Sequence, residues 1–523
     1  MKKSFGCIDT ISKTTLCEKS KGEDSQRRKS ACSRKYKTPF RIVHVVLAWV
    51  TSNTSFGEAF IPYVHVNSFT GPAPSLTNHK LPGFKIAKIA KTLKPARSQK
   101  EPTASGEGTA TISNEVLNLV KTIVGSGVLS LPAGVAAFGN APSATIPAAA
   151  LIAIIGGISA YTFSMIGRVC SFTGAKSYRD AWAETIGPKT CWIAAGTCVL
   201  QGLSITLAYS MILADTFQAI LATFGIVTVS RTSTLLGVTG SVLLPLCLMK
   251  KISSLAPFSL LGIIGMVYTA GAMALRYISG GYKLLPAGKF IPELASNLRP
   301  SFGSSGAASV LNPSSFIMIA MLSTAYVAHF NAPIFFKELK NNTMKRFNIV
   351  VGMSFALSVA IYIAVTALGF LTFGANSNGL ILNNYSNSDI LMSFSRIAVA
   401  TSLIFSYPLT FLGLRDGIFD LANVPVEERT NKLLNKVTVL VLSGITALAL
   451  TVKDVSFVMS LAGASIGNAL IYLYPVLMFR NAVKKRGEAA SKQLKAEAGV
   501  SLGVAGLGVV MGGIGAKMAL KTL

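Results

Sequence analysis

The chain has 523 residues, of which 51% are apolar and only 13% are charged, and its formal net charge is +28. Soluble proteins carry about a quarter charged residues, so this composition indicates a protein whose main solvent is lipid. No nucleic-acid-binding motif accompanies the basic residues, and the sequence lacks the zinc-protease, hydrolase and phosphate-loop motifs of enzymes. We therefore expect no nucleic-acid partner, no enzymatic activity and no cofactor or metal.

The first 111 residues are polar and basic and predict a targeting region. Residues 1–59 contain a short apolar run, RIVHVVLAWV, followed by GEAFIP, which is typical of a signal-like presequence. Residues 60–111 are poor in acids and resemble a transit peptide. A signal followed by a Phe-led transit segment resembles the bipartite presequence of algae with secondary plastids, and Phe60 would be its distinctive residue. The alternative is a disordered basic tail on a vacuolar or plasma-membrane protein.

Long apolar stretches begin at residue 112, and each is close to the ~20 residues that a membrane-spanning helix requires. They predict an all-α membrane protein with about eleven spans. Ten spans form a core at 112–480, and a basic loop with an eleventh span occupies 481–523. The predicted spans, numbered 1 to 11 in chain order, are 113–139, 143–168, 190–222, 232–249, 256–276, 314–338, 346–371, 390–413, 433–452, 455–479 and 497–518.

The connections between these spans predict the orientation of the chain in the membrane. Most of their Lys and Arg residues lie in connections 2–3, 4–5, 6–7, 8–9 and 10–11, and the other connections hold few outside the long one at 276–313. Because basic loops stay on the cytoplasmic side, the N-terminus is predicted to lie on the inner side and the C-terminus on the outer side.

Two predicted spans contain helix breakers. Span 1 is interrupted by Gly125, Ser126 and Gly127, and span 6 carries Asn331 and Pro333 in its second half. Interrupted spans at corresponding positions indicate an inverted-repeat transporter, here with spans 1–5 and 6–10 as the repeats. A broken helix offers free N–H groups for a carboxylate and free carbonyl oxygens for a cation. For either break alone, an ordinary kink is the simpler interpretation.

The segments that carry these features resemble the amino acid/auxin permease family. The similar segments are KTIVGSGVLSLPAG, AYVAHFNAPIFFKEL, LGFLTFG, SRIAVATSLIFSYPLTFLGLRDGI and VMSLAGASIGNALIYLYP. The resemblance covers about 112–480, in the order of the family. It implies the LeuT-type fold, a 5+5 inverted repeat with broken helices 1 and 6, and secondary transport of amino acids by alternating access.

The resemblance also implies a substrate site. Its residues would be Gly125, Ser126, Gly127, Tyr209, Tyr326, His329 and Asn331. From the residues alone, Tyr209 can equally be a membrane tyrosine bonded to a carbonyl oxygen, and His329 a packing residue. The charges of Asp215 and Arg396 within spans indicate function, although Arg396 can also pair with Asp389 or reach the surface.

One position departs from the family pattern. Sodium-coupled members carry Asn four residues before the first glycine of the break, where it holds sodium together with a hydroxyl of span 8. This sequence has Lys121 there, and the matching hydroxyl is assigned to Ser406. An ammonium at a cation site argues against sodium coupling.

The sequence therefore predicts a transporter of neutral or small zwitterionic amino acids, sodium-independent, with proton coupling or exchange instead. The alternatives are an amino-acid sensor that transports little and a channel, although the repeated rings of charges or carbonyl groups of a channel are not seen.

Overall fold

The computed structural model describes residues 108–249 and 259–521. The predicted presequence at 1–59, with Phe60, and residues 60–107 of the predicted transit segment lie outside the described residues. The first described residue, Gly108, lies just before the first predicted span.

Within the described residues 108–249 and 259–278, before the long 279–314 connection, the chain forms eight helices. They are α1 Ile112–Ile123, α2 Leu131–Ala136, α3 Thr145–Thr173, α4 Tyr178–Thr185, α5 Cys191–Thr223, α6 Arg231–Val238, α7 Leu244–Leu248 and α8 Ser259–Ile278. A π-helical turn at Thr239–Leu243 joins α6 to α7, so the two form one span. The short α4 lies between spans 2 and 3.

Eight further helices follow. They are α9 Ser315–Ala325, α10 Ala332–Glu338, α11 Met344–Phe373, α12 Ile390–Leu421, α13 Asn431–Thr451, α14 Val455–Ala462, α15 Tyr474–Arg486 and α16 Lys492–Leu520. Two π-helical segments, Gly463–Gly467 and Ala469–Leu473, connect α14 to α15 within span 10.

The described residues confirm the predicted all-α membrane protein. Nine helical stretches within 108–249 and 259–521 are long and apolar enough to cross a membrane, and the bent pair α1 and α2 is a tenth candidate. The apolar part of α8, Gly262–Ile278, is shorter than a full span. Exposed Ile146, Ile278 and Val500 present apolar surface that suits lipid. The count of eleven spans stays a prediction.

Polar side chains at the ends of the helices explain where several of them begin. The Thr343 hydroxyl accepts a hydrogen bond from Arg346 N at the start of α11, and Asp389 accepts two from the first turn of α12. These caps satisfy N–H groups that have no partner inside the helix. At the C-terminal end of α3, Gly174 adopts φ +69°, a conformation that favours glycine.

Small residues allow span 10 to pack closely against span 6. A Cβ atom on Gly463 of span 10 would overlap the carbonyl oxygen of Ala320 in span 6. The Thr324 hydroxyl donates to Met459 O at 2.6 Å, which joins the same two spans. Helices in membranes associate through such close contacts and hydrogen bonds, so span 10 supports span 6 directly before its break.

Candidate functional site: two broken helices

Span 1 unwinds at its glycines. Helix α1 ends at Ile123, Gly125 N donates to Ile123 O at 2.9 Å, and Gly125 is extended, with φ −95° and ψ −166°. The chain then forms a 3₁₀ turn at Ser126–Ser130 and enters α2, so the segments Ile112–Ile123 and Ser126–Ala136 are bent by 41°. The predicted break of helix 1 is confirmed.

Span 6 is interrupted in the same way. Helix α9 ends at Ala325, Ala328 has φ −125° and ψ 0°, and a 3₁₀ turn at His329–Asn331 leads into α10. Pro333 lies in the first turn of α10, where proline does not remove a helical hydrogen bond. The predicted break of helix 6 is confirmed as well.

The two breaks lie against each other, and one side chain of span 7 contacts both. The buried Tyr362 hydroxyl lies 2.6 Å from Ile123 O and 2.8 Å from Ala325 O, at the last residues of α1 and α9. A Cβ atom on Gly127 would be 3.7 Å from Ala325 Cα. The hydroxyl has a single proton, and Ile123 O also accepts from Gly125 N, so Tyr362 is the donor for Ala325 O at membrane depth, where an unpaired carbonyl is costly.

The structure brings part of the predicted substrate site together around the break in span 1. A Cβ atom on Gly125 would lie 3.3 Å from the Tyr209 hydroxyl, and one on Gly127 would lie 2.7 Å from Met459 Cε. Ser126 is buried between the two glycines. Spans 1, 3 and 10 thus meet at Gly125 and Gly127, which have no side chains of their own.

The predicted residues of span 6 face elsewhere. The Tyr326 hydroxyl donates to Ile152 O at 3.1 Å. His329 is fully buried, with Nε2 3.0 Å from both Ser159 O and the Thr162 hydroxyl. These contacts are all with span 2, so packing directs both side chains away from the glycines of span 1.

Asn331 ends the 3₁₀ turn and is partly exposed. The substrate contacts of Tyr326, His329 and Asn331 stay predictions, and the backbone of the break is the part of span 6 that lies beside span 1.

The side chain of Lys121, in span 1, lies near spans 5 and 8. Its Cε atom is 4.0 Å from the position of a Cβ atom on Gly262, and the Ser402 hydroxyl is 2.5 Å from that same position. The contacts of the structure thus place Ser402 beside Gly262 and Lys121, one helical turn before Ser406. The Ser406 carbonyl accepts the Thr410 hydroxyl at 3.2 Å, and a coupling role for the Ser406 side chain stays a prediction.

A narrow cleft adjoins this position. Its lining includes Val124, Gly125, Ser126, Gly262, Gly265 and Ser402. Backbone carbonyl and hydroxyl oxygens are ligands that hard cations accept, and Lys121 Cε lies 4.0 Å from the Cβ position of Gly262 in this lining. Within 108–249 and 259–521, no group of three or more His, Cys, Asp or Glu residues could hold a metal.

Asp215 and Arg396, the two charged residues singled out in the sequence, have hydrogen-bond partners on the predicted outer side. Asp215 binds Arg231, with 2.6 Å between Oδ1 and Nε. Asp389 forms a bidentate pair with Arg276, at 2.7 and 2.8 Å, instead of pairing with Arg396. The buried Arg396 donates to backbone carbonyl groups of the 7–8 connection.

Three residues at these sites escaped the sequence reasoning. Tyr362 sits in an ordinary apolar span, and no local signal marks it. Ser402 differs from the assigned Ser406 by one turn of the same helix. Glu115 is 1% exposed, and neither of its carboxyl oxygens has a hydrogen-bond partner in the described part of the chain. As an acidic residue in a predicted span, Glu115 did carry a signal.

Comparison with known proteins places the chain among transporters. A sodium-coupled neutral amino acid transporter 11, provisionally so named, of Danio rerio is 25% identical over 410 residues, covering 76% of this chain and 86% of the relative. Amino acid transporter AVT6E of Arabidopsis thaliana is 24% identical, covering 72% and 76%. Vacuolar amino acid transporter 7 of Saccharomyces cerevisiae is 25% identical, covering 60% of each chain.

Among solved structures, the inward-facing conformation of Mhp1 is similar with a TM-score of 0.48 and 12% identity, covering 82% of this chain and 94% of that one. Residues 108–518 match the family described as "Transmembrane amino acid transporter protein". This match covers the described helices except for the last two residues of α16, and the family consists of membrane transporters and not enzymes. The chain therefore belongs to the transmembrane amino acid transporter family.

Proposed function

We propose that this chain is a secondary transporter of neutral or small zwitterionic amino acids that works by alternating access. The observation that carries the proposal is the meeting of two broken helices beside Tyr362. Non-helical backbone at membrane depth occurs where it is buried in protein or lines a cavity, and in transporters such breaks bind substrate.

The geometry of span 1 suits a zwitterion. The 3₁₀ turn at Ser126–Ser130 begins with backbone N–H groups that follow the break, and the positive end of the helix dipole favours a carboxylate there. Carbonyl groups at the end of α1 suit the ammonium group. Gly125 and Gly127 leave this backbone uncovered, and the Tyr209 hydroxyl is close enough to bind substrate.

For coupling, we propose that Lys121 replaces a sodium ion. Its Cε atom and the Ser402 hydroxyl both lie within 4.0 Å of the Cβ position of Gly262, which lines the cleft between spans 1, 5 and 8, and this proximity supports a role for the positive charge there. Proton coupling or exchange then replaces sodium coupling. The Danio rerio relative is named as sodium-coupled, which makes sodium the decisive variable in the test.

The test is uptake by the purified full chain in proteoliposomes, with a panel of twenty radiolabelled amino acids. We expect uptake of neutral amino acids that is unchanged when sodium is replaced by choline and that responds to a pH gradient or to amino acid inside the vesicle. A strict requirement for sodium would refute the role of Lys121. Saturable binding without uptake would identify a sensor instead.

We further propose that the chain resides in the plastid envelope of an alga with a secondary plastid, on the evidence of the presequence pattern around Phe60. Residues 1–110 fused to a fluorescent protein should enter the plastid of such an alga. The Phe60→Ala fusion should be retained in the endoplasmic reticulum. Signal in the vacuole or at the plasma membrane would contradict the proposal. A vacuolar signal would also agree with the vacuolar relative.

A further inference from the structure

A cavity of about 430 Å³ lies on the predicted outer side, apart from the broken helices. It forms where the end of span 3, the start of span 4 and the connections 7–8 and 9–10 meet. Its polar lining includes Asp215, Arg231, Asn378, Asn383, Arg396 and Lys453. Sites for small molecules have volumes of about 300–1,000 Å³ and a few convergent polar groups, so this cavity, the outer vestibule, can hold a ligand of that class.

Arg231 lines the outer vestibule and has one N–H donor without a hydrogen-bond partner in the part of the chain that the structure describes. Its Nε donates to Asp215 at 2.6 Å, and Nη1 donates to Ala449 O at 3.0 Å. Its Nη2 is buried and has no hydrogen-bond partner among the described residues. An unsatisfied buried donor destabilises the protein, so a ligand that accepts a hydrogen bond from Arg231 removes this penalty.

Arg396 repeats this arrangement on a second wall. It is 1% exposed, and its Nη1 and Nη2 atoms donate to the carbonyl groups of Ser386, Leu382 and Tyr385 at 3.3, 3.0 and 2.6 Å. Its Nε, like Nη2 of Arg231, is buried without a hydrogen-bond partner in the described structure. Two guanidinium groups from different spans thus line one cavity, and each has a donor to spare.

The charges and surfaces of the outer vestibule match a zwitterion. Arg231, Arg396 and Lys453 are positive, and Asp215 is the negative residue among the described residues of the lining. A carboxylate suits the guanidinium donors, because charge-assisted bonds of this kind are the stronger ones. Asp215 also accepts Asn383 Nδ2 at 3.4 Å, and its carboxylate offers further acceptor positions for an ammonium group.

An apolar wall completes the match. Ile226, Val227 and Val229, from the connection between spans 3 and 4, line the same cavity. They provide a surface for an apolar side chain. A neutral amino acid could therefore bury its side chain while both of its charged groups find partners.

We propose that the outer vestibule is a second amino-acid binding site, which holds one zwitterionic substrate before it reaches the broken helices. The proposal rests on the proposed transport function for the identity of the ligand. It predicts that the chain binds two amino-acid molecules, one at the break in span 1 and one between Asp215, Arg231 and Arg396. Substrate at the outer site raises the local concentration at the entrance to the inner one.

The test counts bound ligand with four forms of the full chain in detergent, using whichever of twenty tritiated amino acids wild-type proteoliposomes take up fastest, or each in turn if none is taken up. The variants are Gly127→Leu, the paired change Asp215→Asn with Arg231→Gln, and their combination. The paired change removes both charges together and retains two hydrogen-bonding side chains, so that no unpaired ion is buried. Size-exclusion chromatography verifies that each form is folded.

We expect about two molecules bound per wild-type chain, one in each single-site variant and none in the combination. Lys453→Gln should raise KM for uptake by about two- to fivefold, as for loss of one exposed charge. The matched control Lys432→Gln, an exposed lysine at the opposite end of α13, should leave KM unchanged.

One molecule bound by wild type and none by Gly127→Leu would overturn the second site, even if uptake is normal. Binding of none of the twenty amino acids would overturn it too. Two molecules bound without uptake would instead refute the transport function and leave the second site standing.

Discussion

Replacing Tyr362 by Phe should loosen the junction of the two broken helices. The change removes one hydroxyl that lies 2.6 Å from Ile123 O and 2.8 Å from Ala325 O and keeps the ring. Ile123 O keeps its hydrogen bond from Gly125 N, whereas Ala325 O loses its donor. Since a buried carbonyl group left without a donor costs about 1–3 kcal/mol, we expect the arrangement in which the two breaks lie against each other to lose about 2 kcal/mol of stability. At 1.4 kcal/mol for each factor of ten, the population of the binding-competent state falls roughly thirtyfold when other states compete with it.

Two measurements and a matched control test this reasoning. Scanning fluorimetry of the detergent-purified chain should give a lower Tm for Tyr362→Phe, and uptake in proteoliposomes should fall at least about tenfold. Tyr326→Phe removes a hydroxyl that donates to Ile152 O, inside the regular helix α3, where the carbonyl keeps its helical partner. A Tyr362→Phe variant that matches wild type, or that merely equals Tyr326→Phe in both measurements, would refute the role of the shared hydroxyl.

Three further predictions concern the same region. Gly127→Leu should abolish uptake while the protein still inserts into membranes, because its side chain would fill the space where the substrate carboxylate is proposed to bind, whereas Met459 Cε, 2.7 Å from the new Cβ atom, ends a flexible side chain that can shift; uptake near the wild-type rate would place the substrate elsewhere. Lys121→Ala should reduce uptake at least about tenfold, and Lys121→Asn should make uptake respond to sodium; unchanged, sodium-indifferent uptake by both would mean that the ammonium has no coupling role. Glu115→Met should raise Tm by a few degrees, because it removes buried oxygens without partners at a cost of about 1–3 kcal/mol each, and a lower Tm would point to a partner for this carboxyl.

The sequence predicted those features that local chemistry determines. Gly125 and Gly127 allow an extended backbone inside an apolar stretch, and Pro333 marks the restart of a helix, so both breaks could be placed to within a few residues. Helix positions followed from the length of the apolar stretches. The nearness of Tyr209 to Gly125 came from the family resemblance and not from any periodicity.

Side-chain directions were beyond such reasoning because they depend on neighbouring spans. Tyr326 and His329 contact span 2, and nothing in the segment AYVAHFNAP indicates which neighbour it will face. Ser402 and Ser406 lie on the same face of one helix, and only the position of Gly262 in span 5 distinguishes them. Tyr362 contacts two other spans, so the sequence of its own span gives no sign of this role.

The segment that enters span 1 has a mechanical consequence. Ala110 N donates to Glu338 O at 3.0 Å, and Lys340 N donates to Ala110 O at 2.9 Å, so the start of span 1 is joined by backbone to the end of span 6. Gly108 lies so close to Glu338 that a Cβ atom would overlap its carbonyl group. The predicted inner halves of the two broken spans therefore share an edge that is joined by backbone hydrogen bonds. An opening toward the predicted inner side must move both halves together or first break these hydrogen bonds.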